Sequence, residues 1–304
     1  EIGVRLVGSE MCIRDSTCII WLINKIDKIC KATGENRLIM AQNSVKNITT
    51  HLSLPVIIFH EDFTDEVKQD FLDIYKNITF CKIDFQNNDL PYDKSIAKCG
   101  KGYMMMCRFF SGVMQKMDIF RGYDSYIRMD DDSFLIEPFI GQDKFLVEAN
   151  KNYYAYRSTF KDNPERMNNP TGLYKFTYDF CKTYKLGIDE LIPELETIGF
   201  LDISNEIYTG LCPYNNFHFT KLDLWRNSII KDYTDTITNM NGTLLYNWMD
   251  ANIHAMIVYV LCPLLYIPAT AITDFGYRHN RHFSVLNSTE NLYIGNEDFY
   301  PTVL

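Results

Sequence analysis

The run Pro55-Val-Ile-Ile-Phe59 is apolar throughout, without the alternation that marks a strand with one wet face. Such a run predicts a short strand buried on both sides, as in a parallel sheet covered by helices. Its surroundings agree. Thr64 predicts a helix cap, with Asp65 and Glu66 in the first turn, where the helix dipole favours negative charge. Val67, Phe71, Leu72 and Tyr75 then share one face, Asn77 turns the chain, and Ile78 to Phe85 predicts the next strand. Upstream, Arg37-Leu-Ile-Met-Ala41 predicts a strand, Asn43-Ser44 a cap, and the stretch to His51 a short helix. This βαβαβ alternation assigns the chain to the α/β class.

Further along, residues 101–120 predict a helix with Cys107, Phe109, Phe110 and Met114 inward. Tyr123 to Met129 predicts a strand that ends in Asp130-Asp131-Asp132. Ligands of open α/β sheets sit outside the carboxyl ends of strands, so the placement of the triplet matters as much as its composition. Beyond it we expect a strand within Tyr153–Thr159, a helix over Leu173–Lys185, a polar aromatic loop from Tyr208 to Phe219, and helices over Leu222–Tyr233 and Asp250–Leu261. Ile188 to Leu201 fits either helix or strand. Ala255 to Ile267 is apolar but short and broken by Pro263, which reads as buried helix plus strand rather than a membrane span.

The chain has 304 residues, 46% hydrophobic and 14% aromatic, which excludes disorder and supports a sizeable core. A net charge of −9 with no Lys/Arg run argues against a nucleic-acid partner. A diphosphate ligand stays compatible if a divalent cation or local arginines screen it. Residues 1–16 lack the apolar stretch of a signal peptide, and Val7 to Ser16 reads as translated sequencing-adaptor DNA. We therefore expect a non-native leader at 1–16, a stem or N-terminal remnant at 17–36, and a single domain at 37–304, with room for a membrane anchor lost upstream. Nine scattered cysteines without a C-x-x-C pair argue against a zinc ribbon. Glycosylation sequons at Asn47, Asn77, Asn241 and Asn287 are weak pointers to a secretory lumen.

Asp130 and Asp132 are alternate carboxylates that suit Mg²⁺ or Mn²⁺, which need few protein ligands when phosphate oxygens complete the shell. The competing reading is an acidic turn that caps the next helix. Near the C-terminus, His279 in Asp274-Phe-Gly-Tyr-Arg-His279 offers an imidazole for the same shell, with Gly276 allowing a tight turn. Arg108, Arg128, Arg278 and Arg281 are candidate diphosphate or acceptor contacts, since guanidinium binds phosphate in a bidentate way; the alternative for each is a surface ion pair. Asp250 and His254 lie one helical turn apart, which suits either a base with its orienting partner or a helix cap beside a buried histidine.

Taken in order, several segments resemble the fungal-type Golgi α-1,2-mannosyltransferases, glycosyltransferase family 15. Met106-Cys-Arg-Phe-Phe-Ser-Gly112 is similar to that family's Met-Cys-Arg-Phe-aromatic-Ser-Gly. Tyr126-Ile-Arg-Met-Asp-Asp-Asp132 falls where the family has Tyr-Trp-Arg-Val-Glu-Pro-Asp. Asn216-Phe217 with Leu222-Asp-Leu-Trp-Arg226, Gly242 through His254, Asp274 to His279, and Phe63-Thr64 with Glu66 complete the set. The resemblance implies a GT-A-type, Rossmann-like nucleotide-diphospho-sugar transferase fold with a mixed central sheet flanked by helices. It also implies GDP-mannose as donor, Mn²⁺ (or Mg²⁺) as cofactor, a glycan or glycoprotein acceptor, retention of configuration, and a Golgi or other secretory lumen. Carried over by position, Asp130, Asp132 and His279 hold the metal, Arg108, Arg128, Asp130 and Tyr277 the donor, and Asp250 lies near the acceptor. Two positions differ. Asp131 replaces the family's proline, which suggests that it is dispensable. His218 replaces the glutamate of Asn-Phe-Glu, the family's candidate nucleophile or cation stabiliser, and cannot supply its negative charge. Either same-face attack, with the leaving phosphate as base, tolerates the change, or another carboxylate such as Asp250 serves, so His218 and Asp250 are the candidate catalytic positions. Another sugar-nucleotide donor, or a catalytically dead sugar- or nucleotide-binding protein, are the alternatives.

Overall fold

The computed structural model describes residues 17–279, apart from 25, 30–33, 86–88, 97–98, 163–171 and 206, together with the backbone of 283–285. The expected leader, Cys12, Cys30, Arg281 and Asn287 lie outside the described residues. Its strands are β1 (Thr17–Leu22), β2 (Val56–His60), β3 (Ile78–Lys82), β4 (Ser125–Met129), β5 (Ser133–Ile136), β6 (Tyr154–Tyr156), β7 (Thr159–Lys161), β8 (Leu201–Asp202), β9 (Ile207–Tyr208), β10 (Leu211–Pro213), β11 (Phe217–Lys221), β12 (Ala269–Ala271), β13 (Gly276–His279) and β14 (Phe283–Val285). Seven of them form one sheet in the order β12-β6-β11-β4-β1-β2-β3. β4, β1, β2 and β3 run parallel, and β11 lies antiparallel between β4 and β6. A smaller sheet, β14-β13-β5, stands beside the end of β4.

The parallel half follows from its sequence. β2 is buried at every position, as an apolar run requires when helices cover both faces. β4 is buried throughout as well, its Ser125 bonded to Thr17 and its Arg128 to Asp130 and Asp250. Thr64 Oγ1 caps helix α2 (Asp65–Ile74) by accepting from Val67 N, as expected. Four expectations need correction. Arg37–Ala41 is not a strand but the first turn of helix α1 (Arg37–His51), capped by Asn36 rather than by Asn43-Ser44. Four apolar residues fit either period, and the buried stripe Met40, Ala41, Ser44, Val45, Ile48, Thr49 is helical. Residues 17–36 are not a stem throughout: β1 occupies the middle of the sheet, hydrogen-bonded to both β2 and β4. The expected loop at 208–219 holds β10 and the start of β11, a central strand. Gly276 makes no turn. It is strand backbone pressed against β5, where a Cβ would sit 2.4 Å from Ile136 O.

Helix α3 (Lys101–Arg108) runs on into a wide turn, Phe109–Val113, where Gly112 has φ 126° and packs against Thr234. Helix α4 (Gln142–Asn150) follows β5, and the helix Asp250–Met256 is buried along its whole length. The seven described cysteines are free thiols. No helix among the described residues is long and apolar enough to cross a membrane.

Candidate donor and metal site

The acidic triplet is the turn between β4 and β5. Ser133 N closes it by donating to Asp130 O at 3.1 Å, and Asp130 N meets Asn216 O and Ser133 Oγ, each at 3.2 Å. Ser133 Oγ in turn bonds Tyr277 Oη at 2.8 Å. Tyr277, expected as a donor contact, is fully buried and reaches the triplet through Ser133.

His279, at the end of β13, faces the triplet. Its Nε2 lies 2.7 Å from Asp132 Oδ1 and 3.9 Å from Asp130 Oδ2, and its Nδ1 lies 2.5 Å from Tyr214 Oη. Burial lowers the His279 pKa, but Asp132 and the other two carboxylates outweigh it and the net shift is upward. Against its own burial, Asp132 is held below the usual carboxylate range by His279. Asn216 Nδ2 donates to Asp130 Oδ2 at 2.5 Å and stands 3.1 Å from His279 Nε2. Asp131 turns away and pairs with Arg37; burial pushes its carboxyl up to about 7, with Arg37 pulling the other way.

Arg128, one strand residue before Met129, joins the triplet to the core. Its Nη1 donates to Asp250 Oδ2 at 2.7 Å, while Nε and Nη2 reach Asp130 Oδ1 at 3.3 and 3.2 Å. Its guanidinium carbon lies 3.6 Å from the centre of the Phe110 ring. Burial disfavours the charge, but Asp130 and Asp250 more than offset it and raise the pKa. Asp250 is likewise buried, and Arg128 holds it below the usual carboxylate range. Asn215 Nδ2 also donates to Asp250, at 2.8 Å.

The suggested Asp250–His254 base pair does not form. His254 Nε2 meets the carbonyl of Phe110 at 3.1 Å and Nδ1 meets Tyr154 Oη at 2.8 Å. A carbonyl only accepts, so Nε2 carries the proton and Nδ1 accepts from the tyrosine. Burial lowers the His254 pKa to about 4 and keeps the ring neutral. His218 is not brought to the acidic cluster either. It is fully buried, stacked on Tyr154 at 4.8 Å with its edge toward His254, and its Nδ1 donates to Asn215 O at 3.1 Å. Burial also holds His218 well below its ordinary pKa. His218, expected as a catalytic side chain, thus lies in the buried layer opposite Arg128 in the β11–β4 ladder.

Arg108 ends α3 half-buried, and its Nε is buried without a hydrogen-bond partner among the described residues. Arg278 lies over the Phe134 ring at 4.5 Å. Tyr103 was missed in the sequence. It is half-exposed on α3, and Cys107, burial, Asp250 and Asp130 all raise its phenol pKa. Asn216, Asn215 and Tyr214 were also missed as site residues, although Asn216 lies in a quoted motif.

Among the described residues no three His, Cys, Asp or Glu side chains form a ready cation cage. The donor chemistry nevertheless fits a hard divalent cation: Asp130, Asp132 and His279 Nε2 bring two carboxylates and an imidazole to one spot.

A mixed α/β sheet with an acidic turn beyond a central parallel strand, and an antiparallel strand beside it, is the GT-A arrangement of nucleotide-diphospho-sugar transferases. The match to the glycolipid 2-alpha-mannosyltransferase family, glycosyltransferase family 15, covers residues 46–294, and the chain belongs to that family. It is 28% identical over 184 residues to a glycolipid 2-alpha-mannosyltransferase of Saccharomyces cerevisiae, covering 59% of this chain and 39% of that protein. It is 30% identical over 176 residues to the alpha-1,2 mannosyltransferase KTR1 of the same yeast, covering 57% and 42%. These matches thus span about two fifths of the length of the curated relatives. In fold it is similar to the Mn/GDP form of core-mannan synthase A from Aspergillus fumigatus, with TM-score 0.68, 17% identity, and 93% and 81% of the two chains covered. The mannosyltransferase Ktr4p of S. cerevisiae gives TM-score 0.70 at 17% identity, with 96% and 75% covered.

Proposed function

We propose that this chain is a retaining, Mn²⁺-dependent mannosyltransferase that moves mannose from GDP-mannose to a glycan or glycoprotein acceptor, working in the Golgi or another secretory lumen. The observation that carries the reading is the convergence of Asp130, Asp132 and His279 at the carboxyl end of β4, backed by Arg128. The metal, when bound there, supplies Lewis-acid neutralisation of the diphosphate leaving group. Asp130 and Asp132 provide the anionic ligands, and Asn216 and Arg128 fix the direction of Asp130. Arg108, half-buried, is the diphosphate or acceptor contact. Arg128 keeps Asp250 ionised and locked, which makes it a positioning group for Arg128 rather than a free nucleophile. Retention then comes from same-face attack, in which the acceptor hydroxyl gives its proton to the leaving phosphate oxygen. The test is a donor screen with Mn²⁺ that follows nucleotide release by the native protein and by Asp132→Ala. Turnover of GDP-mannose that depends on Asp132 is expected. Equal turnover in Asp132→Ala defeats the metal assignment, and preference for another sugar nucleotide corrects the donor.

A second reading, a sugar-nucleotide-binding protein without transfer, is favoured by one observation: a neutral, fully buried His218 where the resembling family has glutamate. Nucleotide binding with no release from any donor would establish it.

A further inference from the structure

Asp131, the middle carboxylate of the triplet, has no part in that reading and stands where the resembling family has proline. Yet it is only 6% exposed, and its Oδ2 accepts from Arg37 Nη2 in the first turn of α1. Two more contacts continue in the same direction. Ser44 Oγ donates to Ser133 O at 2.7 Å. Asn47 Nδ2 donates to Leu135 O at 3.0 Å while its Oδ1 accepts from Leu135 N at 2.8 Å. Residues 37, 44 and 47 lie within one face of a helix, and 131, 133 and 135 alternate along one side of an extended chain. The lengths agree: ten helical residues rise about 15 Å and four extended residues about 13 Å. Trp21 Nε1, donating to Ser44 Oγ at 3.3 Å, ties the same helix to β1 in the middle of the sheet.

We infer that α1 is a ruler for the metal loop, and that Arg37 and Asp131 are positioning residues for Asp130 and Asp132. The Arg37–Asp131 contact restrains the turn by an ion pair, where a proline would restrain it by fixing φ. The sequence expectation that Asp131 is dispensable is reversed. The inference rests on the metal-site reading above, and its test separates the two.

Mn²⁺ binding in the presence of GDP is titrated by calorimetry for the native protein, Arg37→Gln, Asp131→Asn, the double variant, and Asp132→Ala, with thermal melting of each. Arg37→Gln and Asp131→Asn are each expected to weaken Mn²⁺ binding about ten-fold or more, as for other partners that orient metal ligands. The double variant is expected to be no weaker than either single, because one contact is lost in all three. Arg37→Lys keeps the charge and is expected to lose less, and Asp131→Pro in the Arg37→Gln background is expected to regain affinity. Unchanged affinity in both single variants, while Asp132→Ala loses binding, overturns the ruler and leaves the metal site standing. So do additive losses, or a proline variant that stays weak. Unchanged binding in Asp132→Ala as well overturns both.

Discussion

Two clusters of charge meet at Arg128, and they are built in opposite ways. The outer one, Asp130, Asp132 and His279, keeps a quarter of Asp130's side chain and 13% of the other two exposed. Counted with Asp131, it sets three carboxylates against Arg37, Arg128 and an imidazole. The inner one, Asp250, His254, Tyr154 and His218, is dry. There the only carboxylate is matched by Arg128, and both histidines are held neutral. Dry charge has to be paired or extinguished, because an unpaired buried ion costs far more than an exposed one. The outer carboxylates, partly exposed, stay within reach of a cation. Similar residue types thus serve binding on one side of Arg128 and architecture on the other.

The sharpest way to break this division is Arg128→Ala. It strands Asp250 in the core, and the loss of one partner of a buried ion pair costs about 3–5 kcal/mol. Denaturant unfolding should show that loss, and a variant that unfolds like the native protein would mean the inner cluster is not held by charge. Asp132→Ala should do the reverse. It removes one charge from a crowded acidic group, so unfolding should move by less than about 1 kcal/mol, while turnover falls roughly 10²- to 10³-fold. Comparable damage to both quantities in either variant would merge the two clusters into one.

The inner histidines also make stability depend on pH. The His254 pKa is lowered from 6.5 to about 4 by burial, so between those values the unfolded chain binds more protons than the folded one. Its contribution is whole above pH 6.5 and is lost as pH falls, reaching about 2 kcal/mol by pH 5. His218, shifted the same way, adds to the slope. His279 opposes it, because a raised pKa contributes stability at low pH that fades as pH rises. Unfolding free energies at pH 7 and pH 5 should therefore fall toward acid, and more steeply in His279→Asn. A flat profile in that variant would show that the inner rings are charged, and one shallower than the native protein's that the His279 pKa is not raised.

How far the molecule was legible depends on whether a signal is local. β2 and the cap of α2 were readable because an apolar run and a threonine before two acids act within a few residues. β11 was not, because Asn216, His218 and Thr220 look like loop chemistry. In place, His218 Nδ1 donates to Asn215 O, its Nε2 being buried without a hydrogen-bond partner among the described residues, and Thr220 Oγ1 donates to Tyr153 O at 3.0 Å. β1 was not read as a strand, since Thr17 to Leu22 fell in the part expected to be a stem or N-terminal remnant. In the site, Asp130, Asp132 and His279 were named from their motifs. Their partners were harder to see: which carboxylate Arg128 takes, 122 residues away, and which acid Arg37 takes, 94 residues away, is decided by tertiary packing alone.

The smallest expected effect tests whether the outer cluster depends on dry support of its own. Tyr277 is buried, yet it touches the triplet through Ser133, whose Oγ also accepts the Asp130 backbone N–H. Tyr277→Phe keeps the ring and its packing and removes one hydroxyl. The folded state should lose about 1 kcal/mol, the usual net worth of a buried hydrogen bond. Because Ser133 Oγ then has less to hold it, Asp130 should wander, and Mn²⁺ affinity should drop a few-fold while turnover at saturating metal stays near native. That split is the signature of a group that aims a ligand without touching the reacting atoms. A loss of turnover at saturating Mn²⁺ would instead put the Tyr277 hydroxyl in contact with the donor and restore the role expected for it from the sequence.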